Sequence, residues 1–373
     1  MKKRILSILL TICMLFCLTP ISVFAEEVGT EGSAAIQLGA DALSVLTKNV
    51  NTATAPTVYF GQNHENNPAA WRVIGYDGNG VTSSQGDITL LAAGAMGVIP
   101  FADTILNNEY APSNLKTAID ALAEKLTTEE NAAVKKRTLT SGEYSESDTD
   151  CVAGAQVDDA VFWSLSTYEA NKVGNDIRAL STEYPNWAMY YWWLRSPGHS
   201  ADCAAVVTGD GLVYVTGKFV DMELGVRPAF HLDLNSVLFT SAAVGGKIPD
   251  ANGVGNQGGE AADAIFEIAN YSGNEWKLTL LDSSRNFSIF NAAINDSGDT
   301  ITFSYSDAQT GTNEYISVVI ENNGAITHYG RILQLDGTEN SASGTASLTL
   351  PAGVTLDNDT KLYVFNEQWR GKR

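Results

Sequence analysis

The sequence lacks the residue patterns that mark most enzyme active sites. Its 373 residues include 4 cysteines and 4 histidines, and the histidines show no paired spacing of the kind that binds zinc. No G-x-S-x-G nucleophile elbow occurs, and no glycine-rich phosphate loop follows a strand and precedes a helix. We therefore predict no catalytic residue, no metal site and no cofactor.

Basic residues are also scarce. Lys and Arg together number 23 against 43 Asp and Glu, which gives a formal net charge of −20 at pH 7. Such a charge opposes binding to nucleic acid and to anionic membranes, and it favours solubility. We therefore expect no nucleic-acid partner. The hydrophobic content of 44% is ordinary for a folded chain.

Long hydrophobic runs are absent except near the N-terminus. Residues 5–18 are apolar, follow three basic residues and precede Val23-Phe24-Ala25, an order typical of a signal peptide over residues 1–25. A retained N-terminal anchor is the alternative. No later apolar run reaches the roughly 18 residues that a membrane span needs. We expect a protein that is secreted or associated with the cell surface, with no other transmembrane segment.

Beyond residue 25, the sequence contains two cysteines, Cys151 and Cys203. In an oxidising compartment they could form a disulfide, which would stabilise the fold by on the order of 4 kcal/mol through loop closure. Sequence spacing alone does not show whether their Cα atoms come within bonding reach. Pairing and two free thiols both stay open.

A glycine-rich segment divides the sequence into two domains. Residues 241–262 lose large apolar side chains and contain six glycines and Pro249, a composition typical of a flexible linker. The segment separates a domain of residues 34–237 from a domain of residues 263–373.

The first domain mixes strand and helix patterns. Residues 58–61, 71–75, 88–92, 204–207, 212–215 and 226–232 have strand character, and Gly209-Asp210-Gly211 predicts a hairpin. An apolar face with helical spacing follows Ser113, and two capping boxes, Thr127 with Glu130 and Ser166 with Glu169, predict helix starts. This mixture predicts an α+β domain.

The second domain shows only strand patterns. Alternating segments at residues 276–281, 301–305 and 347–350, with further strands around 315–320, 325–333 and 361–365, are separated by regular turns. This arrangement predicts an all-β sandwich of immunoglobulin-like type, without the cysteine pair of antibody domains.

Two short runs carry a resemblance to a known family. The W-W-L-R-S-P-G run at residues 192–198 and the G-V-R-P-A-F run at residues 225–230 resemble the signature runs of a family of secreted bacterial proteins of gut Firmicutes type with a domain of unknown function, DUF6273. Residues 71–74, 113–115, 127–134 and 162–170 look like further landmarks of that family, so the resemblance extends from about residue 36 to residue 234.

The layout of these runs is also similar to the C-type-lectin-like fold of formylglycine-generating enzymes. Their chemistry needs a copper-binding cysteine pair, and Cys151 and Cys203 match no such motif. The resemblance therefore concerns the fold only, because function does not follow from fold.

Four residues in the signature runs are candidate ligand contacts. Trp192 and Trp193 could form a stacking platform for a sugar, since neighbouring strand residues face opposite sides of a sheet. Arg195 and Arg227 could bind an anion. We favour the interpretation in which both tryptophans are packed in the protein and both guanidinium groups hold loops together by donating to buried carbonyls, with ligand contact as the alternative.

Ser196, His199 and Asp202 lie close together in the sequence, but no elbow or oxyanion-hole motif supports a hydrolase triad. We therefore favour a secreted or cell-surface binding and adhesion module for a glycan or a protein over an enzyme. The alternative is an extracellular enzyme of unrecognised chemistry that acts on carbohydrate or cell wall.

Overall fold

A computed structural model describes residues 33–34, 36–38, 44–77, 79–81, 83, 86–105, 107–146, 149–180, 190–243, 248–249, 255–256, 264–267, 270–271, 273–282, 284–323, 325–339, 341–357 and 360–368. The predicted signal peptide, residues 1–25, and most of the predicted linker lie outside these residues. The described residues form two compact units. The first unit contains the described residues within 43–237 and 274–280. The second unit contains the described residues within 1–42, 238–273 and 281–373.

The strands are numbered in chain order. Those of the first unit are β3 (Thr57–Gln62), β4 (Pro68–Tyr76), β5 (Asn79–Gly80), β6 (Asp87–Ala92), β7 (Val98–Pro100), β8 (Val134–Lys135), β9 (Arg137–Leu139), β10 (Val157–Ala160), β11 (Trp163–Ser164), β12 (Trp192–Pro197), β13 (Cys203–Val207), β14 (Val213–Phe219), β15 (Glu223–Gly225), β16 (Pro228–Asp233) and β22 (Glu275–Leu280). Those of the second unit are β1 (Ser33–Ala34), β2 (Ile36–Leu38), β17 (Val237–Ala242), β18 (Ile248–Pro249), β19 (Gly255–Asn256), β20 (Ala264–Glu267), β21 (Asn270–Tyr271), β23 (Ser288–Ile294), β24 (Thr300–Gln309), β25 (Glu314–Asn322), β26 (Ala325–Gln334), β27 (Ser341–Thr349) and β28 (Thr360–Gln368).

A mixed sheet forms the main core of the first unit. Its strand order is β11-β16-β6-β4-β3-β22, with β5 on β4 and β8 on β16. Every residue of β6 is buried, as expected for an apolar run that is covered on both faces. The rings of Trp71, Phe162 and Phe60 surround the Phe230 ring, at centroid distances of 4.7, 5.0 and 5.1 Å. The predicted strands at residues 71–75 and 88–92 are confirmed as parts of β4 and β6.

A five-stranded sheet carries the signature runs. Its order is β14-β13-β12-β15-β7, in which β12 and β15 are parallel and the other pairs are antiparallel. The predicted hairpin around Gly209 is confirmed: it joins β13 to β14, and the Thr208 amide donates to the Leu212 carbonyl.

The described part of the first unit also contains short helices. Residues 44–47 and the 3₁₀ helix Leu234–Ser236 are helical. The labelled α-helices are α1 (Asn114–Ala123), α2 (Thr128–Ala133), α3 (Thr167–Lys172) and α4 (Asn175–Arg178). Ser113 caps α1, and both predicted capping boxes are present, at α2 and at α3. These reciprocal bonds satisfy amides that would otherwise have no partner. Strand predominates nevertheless, so the described fold is mostly β rather than an even α+β mixture.

The second unit contains two antiparallel sheets that share one hydrophobic core. Their orders are β20-β26-β25-β28 and β23-β24-β27. Alternate residues of the strands face the core, among them Phe303, Ile316, Val318 and Leu348. This is the period-two pattern of a two-sheet sandwich.

From the sequence, the strand predicted at residues 276–281 belongs to the second domain, but the structure places it elsewhere. As β22 it lies in the first unit, where Trp276 pairs in parallel with Val58. Within the predicted linker, β18 and β19 form a short antiparallel pair. In the part of the chain that the structure describes, no helix has the length and apolar character to cross a membrane.

Candidate functional site

The four candidate ligand contacts are all buried. Trp192, Trp193, Arg195 and Arg227 each have 0% of their surface exposed to solvent. A sugar-stacking platform needs an accessible ring face, and an anion site needs an accessible guanidinium. Their burial therefore favours the interpretation in which these side chains hold the fold together.

The two tryptophans anchor β12 on opposite faces of its sheet. The indole N–H of Trp193 donates to the Ile99 carbonyl at 3.0 Å, and its ring meets Phe101 edge to face at 5.5 Å. The indole N–H of Trp192 donates to the Arg178 carbonyl at 3.2 Å. Buried indole groups normally find such partners.

Arg195 joins β12 to the start of α3. Its guanidinium pairs with the Glu169 carboxylate and donates to Asp150 Oδ1 at 2.8 Å and to the Ser164 carbonyl at 3.0 Å. The second Glu169 oxygen accepts from Arg137 at 2.6 Å. One carboxylate thus has two arginine partners inside the protein.

The charges of this cluster determine the protonation of Glu169. Burial alone would raise the pKa of Glu169, but the positive charges of Arg195 and Arg137 and hydrogen bonds from Arg195 and the Ser166 amide outweigh it. The pKa of Glu169 consequently lies well below its ordinary value. A carboxylate that holds no proton and has both oxygens in ion pairs is unsuited to act as a general acid.

Arg227 lies between β15 and β16 and joins the end of β6 to the end of α4. Its Nε and Nη atoms donate to the carbonyls of Ala92 at 2.8 Å, Ile177 at 2.7 Å and Arg178 at 3.1 Å. Its guanidinium lies 5.0 Å from the centroid of the Trp192 ring. The planar fork of an arginine suits this use because it presents several donors at once.

The structure does not bring Ser196 and His199 together. The Ser196 hydroxyl donates to the Thr149 carbonyl at 3.1 Å and accepts from the Thr167 amide at 3.0 Å, inside the protein. His199 is exposed, and its Nδ1 contacts the Thr216 carbonyl at 2.9 Å. Among the described residues, no group of three or more His, Cys, Asp or Glu side chains could hold a metal ion.

Cys151 and Cys203 are both free thiols. Cys151 is half-buried, and its Sγ atom lies 2.6 Å from the Thr149 hydroxyl. Cys203 is buried at the start of β13, where burial raises the pKa of its thiol. The possible disulfide is not formed in this structure.

A group of surface side chains that the sequence did not indicate lies on the edge strand β14 and just before β12. We call Tyr191, Tyr214 and Lys218 the tyrosine–lysine surface. Tyr214 is 36% exposed. The Lys218 Nζ atom is 5.7 Å from the centroid of the Tyr191 ring and 5.5 Å from that of Tyr214, within the range of cation–π attraction.

This surface continues the row of side chains that begins with the buried Trp193. Val206 pairs with Trp193 on one side and with Tyr214 on the other, so the three side chains share a face of the sheet. Between Tyr214 and Lys218 the ladder is irregular, and Gly217 has a positive φ of 90°. A side chain at Gly217 would meet the Ala204 carbonyl at 2.5 Å, so this bulge requires glycine.

Comparison with known families identifies the part of the chain that holds these features. Residues 86–234 match the family described as "Domain of unknown function (DUF6273)". The chain therefore contains a DUF6273 domain. No curated protein and no solved structure matches the chain.

The DUF6273 domain includes both signature runs, all four candidate residues and the tyrosine–lysine surface. It begins at residue 86, so the W-R-V-I landmark at residues 71–74 lies outside it. The sequence indicated this surface only weakly. Residues 212–215 alternate in the way that is typical of any half-buried strand, so Tyr214 does not stand out.

Proposed function

We propose that the chain is an exported, non-catalytic adhesion protein that binds glycan through the tyrosine–lysine surface of its DUF6273 domain. The observation that carries this proposal is the position of the Tyr191 and Tyr214 rings around the ammonium of Lys218, a residue of the edge strand β14. In this proposal, Tyr191 and Tyr214 take the sugar-stacking role that was first considered for Trp192 and Trp193.

Tyrosine rings suit a glycan for a physical reason. A ring provides a flat apolar face for the C–H groups of a sugar, and its hydroxyl can bond to water or to sugar hydroxyls. A rigid side chain with two rotatable bonds loses little entropy on binding. Tyr214 and Lys218 lie on a strand, and the Tyr191 carbonyl accepts from the Gly225 amide, so these groups are well ordered before the ligand arrives.

The rest of the chain fits a display function. We propose a C-type-lectin-like arrangement for the first unit and an immunoglobulin-like one for the sandwich of the second unit, which would act as a spacer. Two antiparallel sheets of four and three strands around one core support the second part of this proposal. The signal-peptide pattern of residues 1–25 supports export.

The alternative of a carbohydrate-active enzyme has less support. Glu169 and Asp150 both approach Arg195, but Glu169 is ionised and fully occupied by arginines. A glycoside hydrolase needs one carboxyl group whose pKa is raised so that it can protonate the leaving oxygen. The shift at Glu169 has the opposite direction.

The test uses residues 26–373 on a glycan array, followed by calorimetric titration with the glycans retained. We expect Tyr214→Ala to weaken binding by about tenfold, the loss of one aromatic contact. Tyr168→Ala is the matched control, because Tyr168 is 40% exposed and also contacts a lysine, Lys172, but in α3. Retention of no glycan, or equal losses in the two variants, would overturn the proposal. Capture of a protein alone would also count against it.

A further inference from the structure

We propose that the tyrosine–lysine surface selects glycans that contain an acidic sugar, with the sugar carboxylate on Lys218 and a sugar ring on Tyr191 or Tyr214. This inference rests on the proposed glycan-binding function and adds the class of ligand to it.

The Lys218 ammonium differs from several other lysines of the protein in its pairing with carboxylates. Several other lysines form ion pairs with carboxylates: Lys116 with Asp120, Lys135 with Asp87 and Asp233, and Lys361 with Glu321. Within the described part of the chain, Lys218 forms no such pair, although the sequence has 43 acidic residues for 23 basic ones. Its contacts are two aromatic rings.

The two aromatic rings leave the charge and the N–H donors of the Lys218 ammonium unsatisfied. Cation–π attraction orients an ammonium but does not neutralise its charge, and the three N–H donors of a lysine need acceptors. A carboxylate provides both a charge and short charge-assisted hydrogen bonds. Because Nζ lies less than 6 Å from each ring centroid, the substituents of a sugar stacked on either tyrosine come within reach of it.

Two aspartates near the ends of β13 limit the charge density of a ligand that can bind here. Asp210 lies at the tip of the β13–β14 hairpin and Asp202 just before β13. A hydrogen bond from the Thr208 hydroxyl lowers the pKa of Asp210, and one from the Ser200 hydroxyl lowers that of Asp202. Both side chains are therefore anionic and repel a dense polyanion. A mainly neutral glycan with isolated acidic sugar units can place one carboxylate on Lys218 and avoid this repulsion.

The experiment compares two oligosaccharides that differ only in one group, a hexuronate-containing chain and its carboxyl-reduced, neutral form. For residues 26–373 we expect the acidic form to bind about tenfold more tightly in calorimetric titration. Lys218→Gln should remove this preference, so that the acidic and neutral forms bind with about equal affinity. Lys218→Arg should preserve the preference. Lys172→Gln, in which the lysine contacts the single ring of Tyr168, is the matched control and should behave as the wild type does.

The possible outcomes distinguish a failure of the carboxylate assignment at Lys218 from a failure of glycan binding itself. Equal affinity for the acidic and neutral forms, or a preference that survives in Lys218→Gln, overturns the carboxylate assignment and leaves glycan binding intact. Binding of neither form, together with an empty glycan array, overturns the proposed function itself. A third arm uses the same oligosaccharide with a sulfate ester in place of the carboxylate, and tighter binding of that form also overturns the assignment.

Discussion

Glu169 and Arg195 form an ion pair in which neither side chain meets solvent, with exposures of 1% and 0%. The pair joins the first turn of α3 to the signature strand β12, and Arg137 adds a second positive charge on the same carboxylate. Removing one member of such a pair is costly because the remaining charge stays buried without a partner. The conspicuous arginine of the signature therefore stabilises the fold.

Replacement of Glu169 by Gln should destabilise the first unit severely. Two arginines would lose their common counter-charge, and we expect a loss of about 3–5 kcal/mol in the free energy of unfolding. Urea unfolding followed by tryptophan fluorescence measures it, since the described tryptophans, Trp71, Trp163, Trp192, Trp193 and Trp276, all lie in this unit.

Glu146→Gln is the control, because Glu146 is exposed and its replacement should change stability by no more than about 0.5 kcal/mol. A similar small loss in Glu169→Gln would show that the buried pair contributes little. A double variant, Glu169→Leu with Arg195→Met, should recover part of the loss because it leaves fewer buried charges unpaired.

The same carboxylate predicts the direction of the pH dependence of stability. The pKa of Glu169 is depressed in the folded state from an ordinary value of 4.5, so the unfolded chain binds its proton first as the pH falls. The stabilisation is fully present above about pH 5 and decreases as the pH falls below that value towards the folded pKa. Unfolding free energies between about pH 7 and about pH 3 should decrease less steeply in Glu169→Gln than in the wild type. Parallel curves would contradict the assignment.

The sequence predicted local structure better than it predicted the site. The capping boxes at Thr127 and Ser166 and the hairpin at Gly209 were predicted because each depends on residues a few positions apart, and the structure contains all three. The burial of Arg195 was the favoured of two interpretations, but its partner Glu169 is 26 residues away. No local pattern shows that two such residues meet.

Two other features depended on pairing between strands. The alternation at residues 276–281 predicted a strand, but not that Trp276 would pair with Val58. The tyrosine–lysine surface forms only because Tyr191, before β12, and Tyr214, on β14, lie close in the sheet. In the sequence, 22 residues separate them, and neither stands in a recognisable motif.

The two thiols should differ in reactivity. The thiolate is the reactive form, and burial raises the pKa of Cys203 while it also hinders access. Cys151 is half-buried. With residues 26–373 in native buffer, iodoacetamide should modify Cys151 at least about tenfold faster than Cys203, as measured by peptide mass spectrometry. Cys151→Ser should lack the fast phase. Protection of both cysteines that is lost only after reduction would indicate a disulfide instead.

Arg227→Lys tests whether the second signature arginine acts through its shape rather than its charge. A lysine keeps the charge but cannot reach the carbonyls of Ala92, Ile177 and Arg178 together, and each buried carbonyl left without a donor costs about 1–3 kcal/mol. We expect a loss of at least about 2 kcal/mol in urea unfolding. We also expect faster amide hydrogen exchange in α4, which contains Ile177, because α4 loses its hydrogen bonds to residue 227. Lys136→Arg, the reverse exchange at an exposed position, should change neither measurement. Wild-type exchange rates around Ile177 in Arg227→Lys would show that the bonds to these carbonyls do not hold α4 in place.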